Sequence, residues 1–191
     1  MKSVLLIALF FSQSVFAAPV FKLTKDRGTT SFLAIGNPSA IRIDGKGEGP
    51  EGEIISKEAG ENLILSGELR VNLKAYDTGI ALRDRHMKEK YLEVEKYEKA
   101  ILMVSDLTVP KSAFAKEGET KWPFTGVLEL HGAKKNVQGE LTLKNSKEGL
   151  TLNAGFPLKL SDFGITVPSF AGITVADQVE VNAALRPEKI Q

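Results

Sequence analysis

The sequence predicts an all-β fold in which sequential antiparallel strands close into a barrel. Three observations carry the prediction. Apolar and polar residues alternate with a period of two along most of the chain. Clusters of Gly, Pro, Asn and Ser punctuate those stretches at short intervals. The stretches follow one another in hairpin order, and a sheet built that way removes its exposed edges by closing on itself.

Met1 to Ala17 stands apart from this pattern. Lys2 supplies one positive charge, Val4 to Phe11 is continuously apolar, and Val15-Phe16-Ala17 places small or branched residues before a cleavage point. That order is a secretory signal peptide, expected to be removed after Ala17, and the apolar run is too short to span a bilayer. Residues 18–191 fit one domain of ordinary size.

The first expected strands are Thr29 to Ile35, Ala40 to Gly45 and Glu53 to Ser56, separated by Gly36-Asn37-Pro38 and by the glycine-rich stretch Gly45 to Gly52, read as a flexible turn. Asn62 to Leu73 is the clearest strand: Leu63, Leu65, Leu69, Val71 and Leu73 share one face, and Ile64, Ser66, Glu68, Arg70 and Asn72 the other. Asp77 to Lys90 loses the alternation, and its helix formers after Gly79 predict a short helix over Leu82 to Lys90.

Ala100 to Val109 returns to a strand. Phe124 to Leu130 and Val137 to Leu143 follow as a hairpin around His131-Gly132, with Leu128, Leu130, Leu141 and Leu143 inward. Leu150 to Leu158 sets Leu152, Ala154, Phe156 and Leu158 against Thr151 and Asn153. Ser161 to Asp177 reads as a long loop, with Asp162 placed to shape its turn, and Val179 to Leu185 is the last strand, with Val181 inward. The count is eight or nine strands.

A barrel of eight strands is just wide enough to be filled by side chains or to hold one small ligand. Gly67, Gly126, Gly139, Ala154 and Ala183 fall among the inward leucines and valines and are expected to leave space. Alternation alone does not exclude a solid core, and by pattern alone the solid core is the slightly better fit. An apolar occupant is energetically reasonable: an isoprene unit at about 0.8 kcal/mol per buried CH₂ contributes roughly 3 to 4 kcal/mol, against about 4 to 15 kcal/mol for lost freedom.

Composition excludes several functions. The formal charge of +1 falls to zero once Lys2 is removed, so no electrostatic footprint for nucleic acid exists. With no cysteine, thiol chemistry and a cysteine-ligated zinc site are excluded, and two distant histidines, His86 and His131, do not make a metal site. No cofactor or catalytic motif is found, and Gly45 to Gly52 lacks the following helix a phosphate cradle needs.

Three blocks resemble the YceI-like family. Asp77-Thr78-Gly79-Ile80-Ala81-Leu82-Arg83-Asp84-Arg85-His86-Met87, with Tyr91-Leu92 and Tyr97 after it, is similar to the family's T-x-x-x-x-R-D-x-H segment. Phe124 to Gly132 (FTGVLELHG) is similar to its G-x-L-T hairpin, and Ser161-Asp162-Phe163-Gly164-Ile165 to its D-F-G loop. The resemblance implies a lipocalin-like, extended, antiparallel eight-stranded barrel with the helix at one end. It also implies a periplasmic protein that carries a long-chain isoprenoid or similar amphiphilic lipid, polyprenyl or quinone-like, and is not an enzyme.

Under that reading the candidate lining is Leu63, Leu65, Leu69, Val71, Leu128, Leu141, Leu152, Phe156, Phe163 and Val181, with Trp122 and Phe124 as further aromatic liners. Arg83 and His86 are the candidate head-group contacts, since a guanidinium matches phosphate oxygens. A purely structural cluster of Arg83, Asp84 and His86 is the alternative. Two rival functions remain: a solid-cored envelope domain that binds no lipid, and a lipid-modifying enzyme using Asp84 and His86 for proton transfer. Oligomeric state is open, a dimer included.

Overall fold

The computed structural model describes residues 20–37, 41–170 and 173–190. The leader expected at 1–17, the end of the first turn and Gly172 of the late loop lie outside the described residues.

Among the described residues twelve β segments form one antiparallel sheet: β1 (Val20–Leu23), β2 (Gly28–Asn37), β3 (Arg42–Glu48), β4 (Glu51–Ala59), β5 (Asn62–Asn72), β6 (Lys99–Pro110), β7 (Gly118–Leu130), β8 (Ala133–Ser146), β9 (Gly149–Lys159), β10 (Ser169–Phe170), β11 (Ile173–Leu185) and β12 (Glu188–Ile190). The connections carry α1 (Ala81–His86), which continues into a π-turn at Met87–Tyr91, and the single turn α2 (Ser112–Ala115). The all-β class and the helix position agree with the sequence reading.

The segment count exceeds the eight strands expected because long strands are interrupted. Lys25–Arg27 forms a 3-10 turn between β1 and β2, Gly49-Pro50 separates β3 from β4, and Arg186-Pro187 separates β11 from β12. Pro50 and Pro187 have no N–H to give the ladder. The pairing nevertheless carries round each break: the Gly49 N–H donates to the Lys25 carbonyl at 3.0 Å, and the Arg186 N–H to the Arg27 carbonyl at 2.9 Å. The Arg27 guanidinium also pairs with Glu188.

Bridging the breaks closes the ring. β1 pairs with β4 and β12, while β2, the continuation of β1, pairs with β3 and β11. β4 to β9 then follow in sequence order, and β9 returns to β11. Between the long strands the shortest pairing is that of β6 with β7, where only Ile101–Met103 meets Val127–Glu129. A register shift in β6 accompanies it: Asp106 takes φ +57°, and its N–H donates to the Ser66 hydroxyl at 3.1 Å.

The glycine-rich stretch corrects the expected turn, for Gly45 to Glu48 belong to β3 and Glu51-Gly52 to β4. The residue type has a different reason from turn flexibility. A Cβ on Gly45 would sit 2.1 Å from the Phe32 ring, and one on Gly49 would sit 2.7 Å from the Gly28 backbone. Glycine is there because a ring and a neighbouring strand come too close for any side chain. Short strands β1 and β12 were not foreseen.

Candidate functional site

Inward side chains do not meet along the whole axis. A chamber of about 460 Å³ opens at the end that carries α1, and a second of about 70 Å³ lies toward the end carrying β1 and β12. Small-molecule sites run from about 300 to 1,000 Å³, so only the upper chamber is of ligand size. The solid-core reading is therefore overturned.

The upper chamber takes its wall from the period-two faces of the strands. Leu69 and Val71 come from β5, Ala100 and Leu102 from β6, Leu128 and Leu130 from β7, Phe156 and Leu158 from β9, and Val179, Val181 and Ala183 from β11. Phe32 and Ala34 of β2 and Ile43 of β3 complete it. Met87, Tyr91 and Leu92 reach in from α1 and the turn after it. Ile80 and Leu82 also belong to this rim and are about half exposed, at 52% and 47%.

Few polar groups face this space. Thr30 and Tyr76 are buried on one side; burial pushes the Tyr76 hydroxyl upward in pKa, a hydrogen bond with Thr30 partly offsets it, and the phenol stays neutral. Thr78, Arg83 and His86 stand at the rim.

Arg83 and Asp84 are fastened to the same residue. The Arg83 Nε donates to Thr78 Oγ1 at 2.8 Å and its Nη2 to the Thr78 carbonyl at 2.7 Å. The Asp84 Oδ1 accepts from the Thr78 N–H at 2.8 Å and from its hydroxyl. Burial pushes the Asp84 carboxyl up, but the Thr78 bonds, Asp77 and Lys88 outweigh it, and the net shift is down. A carboxylate held ionised with its oxygen occupied suits a clasp on α1 and disfavours a proton-transfer base.

The predicted residues divide between levels. Leu69, Val71, Leu128, Phe156, Val181, Arg83 and His86 line the upper chamber. Leu65, Leu141 and Leu152 line the lower one, as do Phe124 and, again, Leu69. Leu63 and Phe163 line neither: Leu63 packs with Leu65 and Val109, and Phe163 is 2% exposed in the main core. Trp122 also packs against the core without lining a chamber.

The small residues act in two ways. Ala183 lines the upper chamber and Ala154 the lower, as expected of gaps, whereas Gly67 borders the lower chamber but has no spare room, since a Cβ on it would lie 2.4 Å from the Glu53 carbonyl oxygen. Gly126 and Gly139 are already filled by neighbours, since a Cβ on Gly139 would lie 2.8 Å from the Phe124 ring and 2.2 Å from the Gly155 carbonyl oxygen.

Two polar assignments change. His131 is not a solvated turn residue, for its side chain is 12% exposed, Nδ1 lies 3.2 Å from the Phe163 carbonyl, and Nε2 lies 2.7 Å from Glu93 Oε2. In the late loop, the carboxylate that accepts the Ser161 N–H and hydroxyl, at 2.8 and 2.6 Å, is Asp177 rather than Asp162. Tyr76, Met87 and Tyr91 were missing from the predicted lining; the apolar helical spacing of Met87 and Tyr91 was the available signal.

Comparison with known proteins follows the same lines. The model of the YceI-like domain matches residues 23–186. No protein of curated function matches the chain by sequence. A solved polyisoprenoid binding domain from Saccharophagus degradans, implicated in plant cell wall breakdown, superposes with TM-score 0.67 at 15% identity, covering 89% of this chain and 98% of that one. BcnA of Burkholderia cenocepacia gives TM-score 0.66 at 16% identity, covering 85% and 98%. The YCEI protein of Campylobacter jejuni gives 0.58 at 16% identity, covering 78% and 85%.

Proposed function

Since this chain belongs to the YceI-like family, we propose that it is a binding protein that holds an isoprenoid-type lipid tail, polyprenyl or quinone-like, inside the barrel for transport or storage. The observation that carries the reading is the 460 Å³ chamber, walled by aliphatic and aromatic side chains with its polar groups at one side and at the rim. That distribution suits an amphiphile lying lengthwise, tail among Leu69, Val71, Leu128 and Val181, head group beside Arg83 and His86. The polyisoprenoid binding domain of Saccharophagus degradans supports the choice of tail. The periplasm is the proposed location, from the charged, apolar and small-residue order of Met1 to Ala17.

Native mass spectrometry of protein purified without detergent tests the proposal. An apolar molecule released by organic solvent at one per chain is the expected result. A chain that carries nothing, and takes up neither prenyl alcohol nor quinone when offered them, would overturn it.

A further inference from the structure

The two chambers are separated by a layer one side chain thick. Leu69 and Leu102 reach both, so the spaces adjoin. Between them Phe156, facing the upper chamber, meets Phe124, facing the lower, edge to face, with ring centroids 6.1 Å apart and planes at 87°. Both rings are buried, at 7% and 5% exposure.

The sequence around the pair fixes it in place. Phe124 lies in register with Gly139 on β8, whose missing side chain is the space the Phe124 ring edge occupies. The β-carbon of Phe156 is itself 2.7 Å from the position a Cβ on Gly139 would take. Gly139 therefore does not widen the bore; it makes room for two aromatic rings to meet at the boundary of the two chambers.

We propose that the Phe124–Phe156 pair is the stop that sets the length of tail this barrel accepts, an inference that rests on the lipid-binding reading. A cavity of about 150 Å³ holds benzene, so a chamber of 460 Å³ has room for about 18 carbons, or roughly three to four isoprene units. Carbons beyond that number remain outside the rim and add no buried surface. Affinity rises by about fourfold for each carbon added inside the chamber and levels off once the tail reaches the rings.

Linear primary alcohols of about 8 to 30 carbons, delivered from cyclodextrin to delipidated protein, supply the test by isothermal titration. Wild type is expected to stop gaining affinity near about 18 carbons. Phe156→Ala removes a six-carbon ring from the floor and moves the break to about 24. Phe156→Leu keeps an apolar side chain in the core, takes three carbons from the floor and moves the break to about 21, so the stop remains testable if Phe156→Ala does not fold. A break at one length in wild type and variants, or affinity still climbing at about 30 carbons, overturns the stop while leaving lipid binding intact. Wild type that binds no alcohol of any length overturns both.

Discussion

Glu93 and His131 are bonded to each other through side chains 2.7 Å apart, and both stand in left-handed backbone, at φ +45° and +51°. Among the described residues Asp106 is the only other non-glycine with positive φ. Such a conformation costs on the order of 1–3 kcal/mol, so the surroundings must hold it. His131 ties the segment after α1, through Glu93, to the β7–β8 hairpin, and through the Phe163 carbonyl to the loop after β9. The Tyr97 ring packs on the imidazole at 4.5 Å.

His131→Asn tests this brace, because asparagine tolerates left-handed backbone and the change isolates the side-chain bonds. The expected loss is about 1–3 kcal/mol in urea unfolding. Hydrogen exchange should quicken around Glu93 and Ile165 first. Unchanged unfolding and exchange would leave the brace without a role.

The carboxyls of Asp177 and Asp84 predict an acid limb. Hydrogen bonds from the Ser161 hydroxyl and N–H hold Asp177 below the ordinary carboxylate range, and Asp84 is also shifted down. A depressed native pKa means that the unfolded chain binds more protons between the native and unfolded values. Stability from these groups is full above the unfolded value of about 4 and is lost as pH falls through the depressed one. Asp177→Asn and Asp84→Asn should each lie below wild type at neutral pH and converge with it in acid, measured as urea midpoint against pH.

Two glycine substitutions in the same glycine-rich stretch should separate stability from capacity. Gly49→Ala drives a Cβ into the Gly28 backbone, which has nowhere to go, and the expected cost is about 1–3 kcal/mol or more. Gly45→Ala meets the Phe32 ring first, and that ring can turn into the upper chamber it lines. Gly45→Ala should therefore be the more stable of the two and yet hold less ligand. Thermal melts and lipid titration read the two effects.

Amide exchange should reveal the short β6–β7 seam. Among the described residues, amides of 104–109 and, Pro123 apart, of 118–126 that point across it face no partner strand, whereas their alternate neighbours pair with β5 and β8. Exchange by NMR is expected to alternate fast and slow along these stretches, and uniform protection would count against the seam.

The barrel was legible wherever one strand face alone decided the pattern. Leu63 to Leu73 could be assigned inward because a one-residue slip would have exposed five apolar residues. What remained hidden depended on partners far away in sequence. Gly45 and Gly49 look like turn residues until Phe32 and Gly28 are placed beside them. His131 looks solvated until Glu93 and Phe163 arrive. The site followed the same division: Leu69, Val71, Leu128, Phe156 and Val181 follow from alternation, whereas the separation of Leu65, Leu141 and Leu152 into a lower compartment depends on where the Phe124 and Phe156 rings meet.

β1 and β12 lie side by side at the end away from α1, with Val20 opposite Ile190 in register. A short peptide joining those neighbours would leave the ladder undisturbed, and the turn between Ser146 and Gly149 offers a new pair of ends on the surface. The fold is thus suited to circular permutation, and a reporter joined at Val20 or Ile190 would hang beneath the barrel, clear of the opening.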